Sequence, residues 1–390
     1  MKKKKIQEAV PVLLFFGLVL GMSLWSVVKP QTEKSEAENR YLSKKPKFSV
    51  KSLVAGEFGK KYETYLSDQF EMREEFINLK TRLEVAMGKS EINEVYLAKD
   101  DYLIRHYERD SFRKETEEEN IEYLAEFAEK YTALMGEDHV RIEIVPSAAT
   151  ILADKLPAYA SNYNETAFIE KLKEKISSKV LIDASEVLKD HKEEEIYYKT
   201  DHHWTSLGAY YGYQVYNNSL GLPVKELSQY SKEVVAKDFY GTNHSRICYA
   251  PSPDQITAYK SKDSVTYEVI YDRLFANSKP EDLTVFHSLY MENRLKEKDK
   301  YTYFLDGNHA IVDIKTSNQN GKKLLILKDS YSHEMIPFLA ENYEQVTILD
   351  YRYFHTELSR LMPKENYTDL LVIRNTAKLL QDDTVFMYTF

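Results

Sequence analysis

Residues 323–332 read KLLILKDSYS, and this stretch decides the fold. Its apolar run at 324–327 has no polar alternation, which is typical of a strand buried on both faces of a parallel sheet. Similar short runs, each followed by a helical pattern, recur at 141–145 (RIEIV), 180–182 (VLI), 346–349 (VTIL) and 370–373 (LLVI). The sequence therefore predicts an α/β fold, specifically a three-layer α/β/α sandwich with a mainly parallel sheet.

Other segments predict helices, a hairpin and an insertion. Apolar residues recur at helical spacing from Ser52 to about Gly88, and a further helix is predicted from about Glu115 to Met135, ended by Gly136. Residues 91–104 (EINEVYLAKDDYLI) alternate around an Asp-Asp turn, which predicts a β-hairpin. Residues 221–314 are irregular, with strand-like pieces such as 264–271, and are interpreted as an insertion that shapes or covers a site.

The N-terminus predicts a membrane anchor. Four lysines at 2–5 precede the uncharged run 9–28, and twenty helical residues span about 30 Å, the thickness of a bilayer core. Because lysines favour the cytoplasmic side, we expect a cytoplasmic tail at 1–8, a transmembrane helix at 9–28, a linker at 29–50 and an extracytoplasmic domain at 51–390. A cleaved signal peptide is the alternative, but residues 21–26 (GMSLWS) offer a poor cleavage site, so the uncleaved anchor is favoured.

Composition excludes some classes of protein. The net charge of −9 gives no basic footprint for nucleic acid. The single cysteine permits no disulfide within the chain, and no Cys/His zinc spacing is present. The 31 tyrosines against 17 phenylalanines suit wet grooves that bind sugars, although a compositional bias toward tyrosine explains the count more simply.

Ser330 follows the strand at 324–327, where the carboxyl end of a parallel strand meets a ligand-binding crevice. A helix is predicted from Ser332 to about Asn342, so its free backbone N–H groups would lie near the Ser330 hydroxyl and could stabilise an oxyanion. Such a hydroxyl needs a base to become a nucleophile. The simpler alternative is that Ser330 only caps this helix.

The stretch 200–205 reads TDHHWT and precedes a helix predicted from Ser206 to about Leu220. Histidine is suited to proton transfer near neutral pH, and a carboxylate two residues away can hold its tautomer. Asp201 can therefore orient His203, and His202 then points elsewhere. A metal site at Asp201, His202 and His203 is the alternative, but adjacent histidines seldom chelate one ion from the same turn, so no metal is predicted.

The DHHWT element, followed later by a strand and Asp-Ser-Tyr-Ser, resembles the DHHW-type family, relatives of the periplasmic alginate O-acetyltransferases with an SGNH-hydrolase-like domain. The resemblance extends over most of residues 36–376. Further similar stretches are 37–40 (AENR), 65–73 (YLSDQFEMR), 94–100 (EVYLAKD), 145–147 (VPS) and 155–157 (KLP).

The resemblance implies that Ser330 is the nucleophile, His203 the base and Asp201 its orienting carboxylate. Candidate substrate-binding residues near this motif or at strand ends are Trp204, Tyr331, Arg352 and Asn375, with Arg374 beside them; surface salt bridging and capping are the alternative roles for the last three. Lys328 departs from the glycine expected before the nucleophile, which weakens a nucleophile-elbow interpretation, and Ser332 is an alternative nucleophile.

The resemblance further implies an extracytoplasmic O-acetyltransferase that modifies a cell-surface polysaccharide by ping-pong acyl transfer, without a diffusible cofactor. A membrane-bound O-acyltransferase partner would supply the acetyl group across the membrane. A carbohydrate acetyl esterase with the same triad, and a catalytically silent scaffold of a polysaccharide modification or export complex, are the alternatives.

Overall fold

The computed structural model describes residues 2–108, 112, 114–273, 283–362, 366–381 and 385. These form two compact units, one of residues 1–93 with 244–249 and one of residues 94–243 with 250–390. The side chains of the predicted basic tail at 1–8 lie outside the described part of the chain.

The helices are α1 (Lys2–Val28), α2 (Val50–Val54), α3 (Glu57–Asp68), α4 (Arg73–Ala86), α5 (Lys114–Met135), α6 (Ala148–Ile151), α7 (Glu165–Lys175), α8 (Ser185–Asp190), α9 (Ser206–Ser219), α10 (Thr242–Ile247), α11 (Ile336–Ala340) and α12 (Thr376–Gln381). The strands are β1 (Lys34–Ser35), β2 (Arg40–Tyr41), β3 (Glu91–Ile92), β4 (Val95–Leu97), β5 (Leu103–Arg105), β6 (Val140–Val145), β7 (Leu181–Asp183), β8 (Tyr230–Phe239), β9 (Asp254–Ser261), β10 (Tyr267–Tyr271), β11 (Ile311–Thr316), β12 (Lys323–Lys328), β13 (Gln345–Leu349) and β14 (Asp369–Asn375).

In the first unit, the helical pattern predicted from Ser52 to Gly88 is broken twice. Gly56, with φ of 73°, separates α2 from α3, and Met72, with φ of 57°, immediately precedes α4. The helical spacing is present as predicted, and it is divided among α2, α3 and α4 because both residues adopt left-handed backbone. Across the residues described, we find no helix with the length and apolar character needed to cross a membrane.

The second unit is built on a seven-stranded sheet in the order β10-β11-β13-β12-β14-β6-β7. The pairs β13-β12, β12-β14, β14-β6 and β6-β7 are parallel, and β10 and β11 add an antiparallel edge. The mainly parallel sheet and its five predicted strands are therefore confirmed. The edge strand β10 comes from the region interpreted as an irregular insertion, which also contains the antiparallel pair β8-β9.

Apolar side chains leave both faces of this sheet. Leu324 and Ile326 join a core that includes residues of α9, whereas Leu325 and Leu327 join a second core that includes residues of α5 and α7. Burial on both faces explains why β12 shows no polar alternation in sequence.

The local elements around the candidate site differ from expectation at one point. The hairpin β4-β5 forms in the predicted region, and α5 ends before Gly136, whose φ is 94°. The helix predicted from Ser332 is instead a 3-10 turn at Ser330–Glu334 followed by the short α11. Pro337 lies near the start of α11 and lacks the N–H that a longer continuous helix would need at this point.

Candidate active site

Ser330 lies just beyond the carboxyl end of β12. Asp329 caps the following turn by accepting a hydrogen bond from the Tyr331 backbone N–H at 2.9 Å. The other carboxylate oxygen of Asp329 accepts from the backbone N–H of Asn375, at the end of the neighbouring parallel strand, at 2.9 Å. The cap at this junction is therefore Asp329, and the hydroxyl of Ser330 is left for another partner.

The DHHW motif forms a tight turn ahead of α9. Tyr197 and Trp204 pair across it in an antiparallel bridge, and the Thr205 hydroxyl caps α9 by accepting from the backbone N–H of Gly208. Asp254 fixes the turn from outside by accepting from the backbone N–H of Lys199 at 2.8 Å and of Thr200 at 2.7 Å. These hydrogen bonds hold the backbone directly before Asp201 and so help to position the side chains of the DHHW motif.

The structure brings Ser330, His203 and Asp201 together. The Ser330 Oγ lies 2.8 Å from the His203 Nε2, although 127 residues separate them in sequence, and the His203 Nδ1 lies 2.5 Å from the Asp201 Oδ1. All three residues are buried. In this geometry Nδ1–H donates to the carboxylate and Nε2 can accept the serine proton, which is the arrangement of a nucleophile, a base and an orienting acid. The catalytic roles themselves stay predictions.

Asp201 is held on both carboxylate oxygens. Its Oδ1 also accepts from the backbone N–H of His203 at 3.0 Å, and its Oδ2 accepts from the backbone N–H and the hydroxyl of Thr242 at 2.6 and 2.9 Å. Burial raises the pKa of Asp201, but its electrostatic interaction with the two neighbouring histidines and these hydrogen bonds together hold it well below its ordinary value. Asp201 is therefore a carboxylate at neutral pH, as an acceptor for Nδ1–H must be.

His202 has a different environment. Its Nδ1 lies 2.6 Å from the hydroxyl of Thr242, so this side chain bonds away from Ser330. Burial, with the nearby charge of His203, lowers the pKa of His202 well below its ordinary value. Asp201, His202 and His203 offer potential metal-ligand atoms within 4.8 Å of one another. Binding a cation there would compete with the hydrogen bonds that join Asp201 to His203 and His202 to Thr242.

Two buried residues complete the site and were missed by sequence reasoning. The Tyr301 ring stacks on His203 with a centroid separation of 4.0 Å and an interplanar angle of 7°, and its hydroxyl donates to the Ser330 carbonyl at 2.8 Å. Glu334 accepts from the hydroxyls of Tyr198 at 2.6 Å and Ser206 at 3.0 Å, which joins the DHHW turn to the turn that carries Ser330. Burial raises the pKa of Glu334 well above its ordinary value, which favours the protonated form of this acid.

The candidate substrate-binding residues mostly have internal partners. The Trp204 indole donates to the Tyr331 carbonyl at 2.7 Å, the Tyr331 hydroxyl donates to the His202 carbonyl, and the Asn375 amide donates to the Val145 carbonyl at 3.0 Å. All three are buried, so the structure places them as supports of the site and offers no open face of them to a substrate. Arg352 binds Asp350 at 2.6 Å but keeps 31% of its side chain exposed.

Other polar groups near the nucleophile also form hydrogen bonds or ion pairs within the protein. Lys328 is buried, with its Nζ 2.7 Å from the His333 Nε2 and 3.2 Å from the Asp350 Oδ2. This lysine therefore occupies the expected glycine position as part of a buried ionic network, and burial lowers its pKa. Ser332 is fully buried and donates to the Asp329 carbonyl at 3.0 Å. Arg374, also buried, has its Nε 3.5 Å from the Asp329 Oδ2.

A mainly parallel α/β fold thus carries a Ser-His-Asp arrangement at the carboxyl ends of its strands. Residues 89–349, more than half of the chain, match the family described as DHHW protein. The chain belongs to the DHHW protein family.

Two solved structures, the first two described here, share this fold. A DHHW family protein from Eubacterium siraeum is 27% identical with a TM-score of 0.63, and the similarity covers 76% of this chain and 95% of that one. PatB1 of Bacillus cereus, solved with a sulfonyl adduct, is 19% identical with a TM-score of 0.59, covering 77% and 99%. The O-acetyltransferase domain of Pseudomonas putida AlgJ is matched at 11% identity and a TM-score of 0.42, covering 74% and 92%. No curated protein matches the chain.

Proposed function

We propose that the chain is an O-acetyltransferase that modifies a cell-surface polysaccharide through Ser330, His203 and Asp201. The observation that carries this proposal is the continuous line of hydrogen bonds from the Ser330 hydroxyl through His203 to the Asp201 carboxylate. Membership of the DHHW family agrees with it. The proposal includes an SGNH-hydrolase-like three-layer α/β/α arrangement of the second unit.

The reaction has two acyl-transfer steps. The Ser330 Oγ attacks the carbonyl carbon of an acetyl donor while the His203 Nε2 takes the hydroxyl proton, and His203 then gives that proton to the departing group. In the second step, His203 takes a proton from a glycan hydroxyl, whose oxygen attacks the acetyl carbon. The ester bond to Ser330 breaks, and Ser330 regains the proton. Asp201 holds the imidazole in the required tautomer and stabilises its charged form.

The proposed location is the outer face of a membrane, with residues 9–28 as a single-pass anchor and the rest of the chain after residue 30 outside the cytoplasm. Support comes from the sequence pattern alone: an uncharged run of twenty residues directly after a lysine-rich start. A membrane-bound O-acyltransferase would deliver the acetyl group to Ser330, and a cell-surface glycan would receive it.

The catalytic proposal is tested with a chromogenic acetyl ester, with and without an oligosaccharide acceptor. Ser330→Ala and His203→Ala should each lose nearly all turnover, and the double variant should be little worse, because triad members act as a unit. Ser332→Ala is the matched control and should retain activity. Acetylated oligosaccharide supports the transferase; release of acetate alone, unaffected by the acceptor, shows an esterase. A folded wild-type protein without turnover would favour the scaffold.

The location is tested separately by adding protease to intact protoplasts. Residues after about residue 30 should be digested while the N-terminal segment is spared, since the bilayer would shield the anchor. Complete protection of the folded chain would contradict the proposed topology, whatever the outcome of the activity assay.

A further inference from the structure

An exposed, basic and apolar stretch lies in the first unit at residues 44–54, which read KKPKFSVKSLV; it is called the basic-apolar segment below. Its four large apolar side chains lie on the surface, with exposed fractions of 63% for Phe48, 69% for Val50, 50% for Leu53 and 83% for Val54. Exposed apolar side chains concentrated within eleven residues of a folded unit indicate a surface that binds something.

The charge of the basic-apolar segment points to an anionic partner. Its lysines, at 44, 45, 47 and 51, are exposed and make no ion pair among the described residues, although the whole chain has a net charge of −9. Lysines interspersed with phenylalanine, valine and leucine are typical of segments that lie in the interface of a membrane. A second copy of the same segment would bring like charges together, which disfavours self-association through this surface.

The end of α1 is fixed to the same unit. Lys29 forms an ion pair with Glu71 at 2.8 Å. The backbone N–H of Thr32 donates to the Gln69 side chain, whose amide donates back to the Thr32 carbonyl, both at 2.9 Å. The first residues after α1 are therefore clamped to the residues around the C-terminal end of α3, although the sequence suggested a linker from 29 to 50.

The hairpin β1-β2 then returns the chain to its starting point. Lys34 pairs with Tyr41 across the hairpin, and the backbone N–H of Leu42 donates to the Glu33 carbonyl at 2.9 Å. Residues 29–33 directly follow α1. Because the hairpin brings Leu42 back to Glu33, the basic-apolar segment begins close to these residues. If α1 lies in a bilayer, this clamp holds the segment at the level of the lipid headgroups.

We propose that the basic-apolar segment lies on the outer surface of the membrane, with its lysines on anionic headgroups and Phe48, Val50, Leu53 and Val54 entering the interface. This inference rests on the membrane anchor of the proposed function and adds a second contact with the bilayer. Each lysine near an anionic surface adds about a fivefold gain in binding, and the apolar side chains add the burial of their area. Two contacts would fix the orientation of the first unit against the membrane.

The test places an indole in the segment of the full chain. Trp25→Phe leaves Trp204, which is fully buried, as the only native tryptophan. Phe48→Trp is added to this background, with Tyr159→Trp, at a fully exposed position in the other unit, as the matched control. Both proteins are reconstituted into vesicles of phosphatidylcholine, with or without phosphatidylglycerol, containing lipids brominated on the acyl chains.

With phosphatidylglycerol, the Phe48→Trp emission should shift to the blue and be quenched several-fold more than that of the Tyr159→Trp control. Replacing the four lysines with glutamine should remove the part of the quenching that depends on phosphatidylglycerol. Equal quenching of the two proteins on vesicles that carry them would refute the surface contact while leaving the anchor intact. Failure of the protein to float with vesicles would refute the anchor itself. Quenching that appears only at high protein density would assign the surface to a second copy and overturn the proposal.

Discussion

Replacing Gly241 with alanine should disable the site by displacing Asp201. Because φ at Gly241 is not positive, alanine can adopt the same backbone conformation without strain. The added Cβ would lie 2.3 Å from both the Cβ and the Oδ2 of Asp201. Ordinary contacts of this kind are about 3.4–4 Å, so roughly 1 Å of overlap must be relieved by movement of one of the two residues.

The size of the effect follows from how Asp201 is held. It is buried and accepts four hydrogen bonds, from His203 and Thr242, so it cannot move without lengthening some of them. A shift of about 1 Å would extend the 2.5 Å contact with His203 beyond hydrogen-bond length, and misplacement on this scale costs about 100-fold in rate. Overpacking should lower the stability by about 1–3 kcal/mol.

The assay compares kcat for the chromogenic acetyl ester with the free energy of unfolding in denaturant. Gly59→Ala, on helix α3, is the control, since its Cβ would meet no atom of the described residues within 4 Å. It should leave kcat unchanged and raise stability slightly, because alanine is the better helix former. A Gly241→Ala protein with wild-type kcat would show that the position of Asp201 does not govern the reaction, and the reasoning would be wrong.

Three further predictions concern buried acids. Glu334→Gln should keep most activity because a neutral amide oxygen can still accept from Tyr198 and Ser206, whereas Glu334→Ala should lower kcat more than it changes KM. Glu143, whose buried carboxyl oxygens have no hydrogen-bond partner among the described residues, should give a protein more stable by about 1–3 kcal/mol when replaced by leucine, measured in denaturant; a loss of stability would show that the carboxyl has an unrecognised partner. Burial raises the pKa of Asp254 from 3.8 to about 6, so the folded protein keeps this proton to higher pH than the unfolded chain, and the stability it contributes is lost as the pH rises from about 4 to about 6. Asp254→Asn should remove about 3 kcal/mol of that pH dependence, and parallel denaturation profiles of the two proteins would contradict it.

Local sequence was sufficient to predict an element where the burial of its residues shows as a pattern in consecutive positions. The five parallel strands could be predicted because a strand covered on both faces must be apolar at successive positions, as at 324–327. Left-handed backbone at Met72 separates two helices within the region of helical spacing. Periodicity could not locate this break, because it reports which face is apolar and not where a single φ changes sign.

The sequence by itself determined which chemical groups were available: a serine after a strand, and an aspartate and a histidine two residues apart in one turn. Only the tertiary structure decided that these groups meet. His203 and Ser330 are 127 residues apart, and packing between distant segments, with the strand order β13-β12-β14-β6-β7, brings them into contact. The same holds for Tyr301 and Glu334. A stacking ring and a buried acid have no local signature in the sequence, because their roles depend on the imidazole and the hydroxyls that the fold brings against them.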